Sequence, residues 1–219
     1  MTKQEKIIEK LLPEFRNDPN CLTLLLTGSV ARNEAGTNSD IDLLQISKHE
    51  QPFKEITIGG ILIEVKTHTK SGFVEKMKIK PMNVYQWLDA KVILGDKNAA
   101  QDIISTAKSI CENYKSDPEE KRAVSKWLES TKLKIEEASR SNNDLLVGFN
   151  VSNILWKIVE DFYLLNDKPT PPSTTAFRRI TGLKNLPQGF VDQWRLALTG
   201  DLDKRTGATI ALIDFLLSQ

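Results

Sequence analysis

The chain lacks most of the features that would send it out of the cell, into a membrane or onto long nucleic acid. Its two cysteines, Cys21 and Cys111, lie far apart and in no metal-binding or redox spacing, which excludes a disulfide framework and fits a reducing, cytoplasmic setting. No apolar run approaches the roughly 18 residues that a membrane helix requires. The opening MTKQEKIIEK is too charged for the apolar centre of a signal peptide, so neither export nor a membrane partner is expected. An excess of one charge is missing too: 30 Lys and Arg balance 29 Asp and Glu, a net charge of +1. Without a broad basic surface, long nucleic acid is not an expected partner. Internal repeats, low-complexity tracts and a glycine loop ending in Lys-Ser or Lys-Thr are also absent.

What is present is a 219-residue chain with 40% apolar residues, enough to fill the core of one or two domains. Ile7, Ile8, Leu11, Leu12 and Phe15 recur at helical spacing between Thr2 and Arg16, and Asn17-Asp18-Pro19-Asn20 stops the pattern. Cys21 to Thr27 is too short for a helix and reads as a strand buried on both faces. Ser39 to Ser47 and Ile61 to Thr69 are further strands, with Phe53, Ile56 and Ile58 as a hairpin arm before Gly59-Gly60. Helix begins at Ser71, and Met82 to Asp96 reads as further compact packing, separated from it by Pro81. From Lys97 onward no strand signal remains. Helices are expected at Ala99 to Asn113, after the Asp117 cap with Pro118 in the first turn, from Asn143 to Leu165, and at Thr174 to Ile180, Phe190 to Leu198 and Asp203 to Leu217. The expected fold is therefore α+β: an N-terminal mixed β-sheet domain with flanking helices over residues 1–114, then an all-α bundle over 115–219. Trp87, Trp127, Trp156 and Trp194 sit in apolar helical patterns and are expected in the core.

The segment LTGSVARNEAGTNSDIDLL, Leu26 to Leu44, carries the chemistry. A buried strand delivers the chain to Gly28, where the missing side chain lets backbone N–H groups approach an anion, and Ser29 adds a hydroxyl. Val30 to Ala35 can start a short helix facing that anion. Asp40 and Asp42 follow with one apolar residue between them, so in a strand both carboxylates project from one face while Ile41 and Leu43 enter the core. Such a pair is costly unless a cation compensates, and hard oxygen ligands suit Mg²⁺ or Mn²⁺. Glu64 interrupts the apolar run from Ile61 to Val65 and is the candidate third carboxylate, bridging two ions in phosphoryl transfer and serving as general base.

The run GSVARNEAGTNSDIDLL resembles the signature of the DNA polymerase β nucleotidyltransferase superfamily, in which Gly-Ser opens the segment and Asp-x-Asp closes it. Within that group it is similar to small bacterial enzymes, among them minimal nucleotidyltransferases and the aminoglycoside and lincosamide nucleotidyltransferases. Gly28, Ser29, Arg32, Glu34, Ala35, Ser39, Asp40, Ile41, Asp42 and Leu43 match; Asn33 stands where many relatives have Gly, a position that Asn can fill because it tolerates left-handed backbone. Leu88 to Leu94 resembles the segment that closes such domains, and Leu164 to Pro172 the helix exit of their C-terminal domain. The resemblance implies a nucleotide site at Gly28, Ser29 and Ser39, and metal-binding and catalytic roles for Asp40, Asp42 and Glu64. It also implies transfer of a nucleoside monophosphate, AMP in the leading reading, from a nucleoside triphosphate to a hydroxyl of a small-molecule acceptor, with release of pyrophosphate. A homodimer completing the acceptor site is compatible with it.

Plainer readings stand beside these. Asp40, Asp42 and Glu64 could be solvated carboxylates at a strand edge, and Lys66 and His68, which share the Glu64 face, read as solvent-exposed. Arg32 reads as a partner of Glu34 or a nearby Asp. Asn150, Asn153, Lys157, Glu160 and Asp161 line one side of the long helix, facing an acceptor cleft or simply water. Two other functions fit the same residues: an antitoxin-type nucleotidyltransferase that modifies a protein, and a non-catalytic nucleotide-binding regulatory module.

Overall fold

The computed structural model describes residues 1–219, which divide into two compact units, Met1–Asn113 and Tyr114–Gln219. The first unit opens with helix α1 (Lys3–Asn17), started by a capping box in which Thr2 accepts from Glu5 N–H and Glu5 reaches back to Thr2 N–H. Its strands are β1 (Cys21–Thr27), β2 (Ile41–Ser47), β3 (Lys54–Ile58), β4 (Ile61–His68) and β5 (Lys91–Gly95), with a single helical turn, α2 (Gly28–Ala31), directly after β1. They form one mixed sheet in the order β3-β4-β2-β1-β5, antiparallel except for the β2–β4 pair.

Alternation divides the sheet into two faces. Leu24, Leu26, Ile41, Leu43, Ile61, Ile63 and Val65 pack with Ile7, Ile8, Leu11 and Phe15 of α1 as one apolar cluster. The opposite face meets α3 (Lys70–Ile79) and α5 (Lys97–Glu112), and the short helix α4 (Tyr85–Leu88) packs on α5. There the fully buried Trp87 stands edge-on to Phe73 at 4.8 Å, and Phe73 edge-on to His68 at 4.9 Å.

β5 refines the expectation of compact packing over Met82 to Asp96. Its five residues are only half-buried or exposed, and its apolar run is confined to Val92, Ile93 and Leu94. It forms an edge along β1 with a register shift between Leu24 and Leu25. Gly95 makes this approach feasible: its φ is +86°, and a Cβ there would lie 2.1 Å from the Leu22 carbonyl oxygen.

The second unit is helical throughout: α6 (Pro118–Arg140), α7 (Asp144–Leu165), α8 (Ser173–Arg179), α9 (Phe190–Thr199) and α10 (Leu202–Leu217). Asp117 caps α6 and Asn143 caps α7, and Asn142 at φ +54° turns the chain between them. Ile135, Ala138, Val147 and Val151 lock α6 against α7, with Leu202 and Ile210 of α10 packed on them. Asp167, also left-handed, accepts from Lys115 Nζ, Ser116 N–H and Lys121 Nζ and ties the end of α7 to the start of the unit. Two of the four tryptophans depart from the expected core position. Trp87 and Trp194 are buried, but Trp127 and Trp156 stand exposed on α6 and α7, because a helical apolar stripe does not reveal whether anything covers it. No helix in the structure is long and apolar enough to cross a membrane.

Candidate active site

Gly28 leaves β1 with φ +69°, a conformation costly for any residue with a Cβ. A Cβ built there would lie 2.1 Å from Asp42 Oδ2, so the space a side chain would need is filled by the carboxylate. The turn is further fixed by Thr27, whose hydroxyl donates to the Gln86 carbonyl at 2.6 Å. Ser29 N–H lies in the first turn of α2, where helix amides have no intrahelical acceptor. That turn is shorter than the expected Val30 to Ala35 helix. Helical geometry ends at Arg32, and Asn33 takes the left-handed backbone at φ +60° that its side chain tolerates.

Asp42 is central. It lies across from Thr27 in β1 and directly beside Glu64 in the parallel β4, with both carboxylates on the sheet face opposite α1. Burial pushes the Asp42 carboxyl above the usual carboxylate range, and the negative charges of Asp40 and Glu64 push it further; Lys66 and Arg32 pull it back. Asp40 is exposed and belongs to the loop before β2, one residue short of the strand in which it was expected. Its charge is nonetheless close enough to act on Asp42.

The loop carrying Asp40 is held from two sides. Ser39 Oγ accepts from Gly36 N–H at 2.9 Å, so this candidate nucleotide ligand also staples its own turn. Gln4 of α1, buried, donates through Nε2 to the carbonyls of Gly36, Ser39 and Thr37 at 2.8, 3.2 and 3.3 Å. The sequence offered no signal for Gln4, since a polar residue on the first turn of a helix normally faces water. Lys66, whose side chain is 39% exposed as expected, also places its Nζ 3.4 Å from Glu64 Oε2. The alternation of β4 was the available signal, because it places residues 64 and 66 on one face. Arg32 is engaged as expected, by Glu34 at 2.7 Å and Asp89 at 3.4 Å.

The donor set suits a hard divalent cation: carboxylate oxygens of Asp42 and Glu64 on neighbouring strands, with Asp42 seated against a glycine that leaves it room and raised in proton affinity by burial and by the nearby negative charges. No three His, Cys, Asp or Glu side chains converge here as a ready-made cage.

Residues 8–94 match the family model for a nucleotidyltransferase domain, and the N-terminal unit is such a domain, of the polymerase β-like kind. Its activity class is nucleotidyl transfer, for which a nucleoside triphosphate is the expected donor. The chain is also similar to the solved structure of a nucleotidyltransferase-like protein from Exiguobacterium sibiricum, at 12% identity and a TM-score of 0.45, over 98% of this chain and 74% of that one. No curated protein matches the sequence.

Proposed function

We propose that the chain is a metal-dependent enzyme that moves a nucleoside monophosphate, AMP in the first instance, from a nucleoside triphosphate to a hydroxyl of a small molecule. Pyrophosphate is the other product. The observation that carries this reading is the Gly28 turn seated on Asp42 with Glu64 alongside. The nearness of the Gly28 bend to this carboxylate pair supports a phosphate grip beside a cation site. The helical unit over residues 115–219 holds the acceptor, and residues 1–114 hold the nucleotide.

In this mechanism the N–H groups at the start of α2 and the Ser29 hydroxyl bind phosphate oxygens and orient the triphosphate. Asp40, Asp42 and Glu64 would hold divalent cations, which supply neutralising charge to the phosphates and acidify the acceptor hydroxyl. Glu64 takes the acceptor's proton as its oxygen bonds to the α-phosphorus and the bond to the departing pyrophosphate breaks. Lys66 keeps Glu64 partnered until the substrates arrive. Gln4 and Ser39 position Asp40 by fixing its loop.

Pyrophosphate release, measured with Mg²⁺ and each of ATP, GTP, CTP and UTP across a panel of hydroxylated acceptors, tests the reading. Turnover with at least one pair, lost in Asp42→Asn, is expected. Nucleotide binding with no turnover on any small molecule or protein would instead indicate a regulatory module. Labelling confined to a protein would indicate a protein-modifying enzyme.

A further inference from the structure

The helical unit carries a hollow with a chemistry of its own. Trp127 and Lys134 of α6, two turns apart, face Phe149, Asn150, Asn153 and Trp156 of α7 across a depression of about 390 Å³. Trp127 and Phe149 are 59% and 63% exposed, so large ring surfaces that would gain by burial stand together in water. Asn150 and Asn153 make no side-chain hydrogen bond within the chain, and Lys134 has no ion-pair partner. Lys157, also on the rim, lies 5.9 Å over the Trp127 ring and pairs with Glu160 at 2.6 Å. No Asp or Glu lines the hollow.

We propose that this α6–α7 hollow binds a hydroxylated ring bearing an anionic group, a sugar phosphate or a sugar acid. The volume falls in the range of small-molecule sites, roughly 300–1,000 Å³. Aromatic faces stack on a sugar ring. Carboxamides, which both donate and accept, read its hydroxyls, and Lys134 meets the anion. A polycationic aminosugar finds no acidic lining and meets the uncompensated charge of Lys134, the charge of Lys157 being balanced by Glu160. A second copy of the chain would bury two unmet carboxamides and a cation with no acid on this surface to pair them, which is unfavourable. As the acceptor of nucleotidyl transfer, this ligand rests on the function proposed above; as a bound ligand it does not.

The test reads binding to the full chain without nucleotide, so that it can fail independently of catalysis. Trp87 and Trp194 are buried, and a change in tryptophan fluorescence on adding a sugar therefore reports on Trp127 and Trp156. Glucose 6-phosphate or glucuronate is expected to give a saturable change, free glucose a weaker one and kanamycin none; the two acids separate a phosphate source from a carboxylate source. Lys134→Glu and Asn153→Ala, exposed positions whose exchange leaves the fold intact, should each weaken binding by about tenfold. Equal or tighter binding of kanamycin overturns the proposal, as does unchanged affinity in both variants. So does the absence of binding by either acid, or sedimentation showing a dimer in which these tryptophans are shielded.

Discussion

Gln4 lies far from the acidic cluster in sequence, yet Gln4→Leu is expected to impair it. Its side-chain amide, 3% exposed, serves three carbonyls of the loop ending at Asp40. An NH₂ group has two hydrogens, so two full hydrogen bonds are its limit, worth about 1 kcal/mol each. Leucine preserves most of the volume but removes those bonds, and since Gly36 and Thr37 are exposed, water can reach their carbonyls once the amide is gone. The expected cost is therefore about 2 kcal/mol, concentrated in one loop. Hydrogen exchange should show residues 36–40 losing protection while the Gly59-Gly60 turn keeps its own, and Mg²⁺-dependent nucleotide affinity should fall. Gln4→Glu should be worse, since a carboxylate would face three carbonyl oxygens. If Gln4→Leu retains wild-type loop protection and nucleotide affinity, the positioning argument is wrong.

Gly28→Ala should abolish nucleotide binding, because the new methyl would collide with Asp42 Oδ2 and the backbone would be strained; calorimetry checks this. Lys66→Ala removes the cation that competes for Glu64 and should tighten Mn²⁺ binding in the absence of nucleotide by about threefold, a modest gain because the pair is partly solvated; electron paramagnetic resonance titration reads it, and unchanged affinity would refute it. Asp161, 5% exposed in α7, has its carboxyl pushed by burial up to about 6, with Lys121 opposing the shift. Its pKa is raised on folding, so the unfolded chain sheds the proton first and stability falls as pH rises from about 4 through about 6, by up to ~3 kcal/mol. Asp161→Asn should remove that slope and stabilise the protein at pH 7 in thermal unfolding.

The acidic face of the sheet was legible where periodicity and turn chemistry agree. Gly28 ends a continuous apolar run, Asp42 interrupts a strand whose other residues are buried, and Glu64 lies on the less buried face of a strand that buries Ile61, Ile63, Val65 and Thr67, so their shared face follows from alternation. Helix caps such as Thr2, Asp117 and Asn143 stood where local hydrogen-bonding chemistry requires them. What stayed hidden depends on distant partners. β5 is a strand only because β1 offers it an edge, Gln4 is a clamp only because the 36–39 loop folds over it, and Trp127 looks like core until it is known that nothing covers it. Asp40 fell one residue outside its expected strand because pairing begins at Ile41, which strand propensity alone does not determine.

Calorimetric titration of ATP and the other nucleoside triphosphates, in Mg²⁺ and again in EDTA, tests the joint dependence of the site on Gly28 and its carboxylates most directly. The account predicts binding of at least one nucleotide that requires Mg²⁺, disappears in Asp42→Asn and survives in Asp161→Asn. Nucleotide binding of equal strength in EDTA and in the Asp42 variant would contradict it.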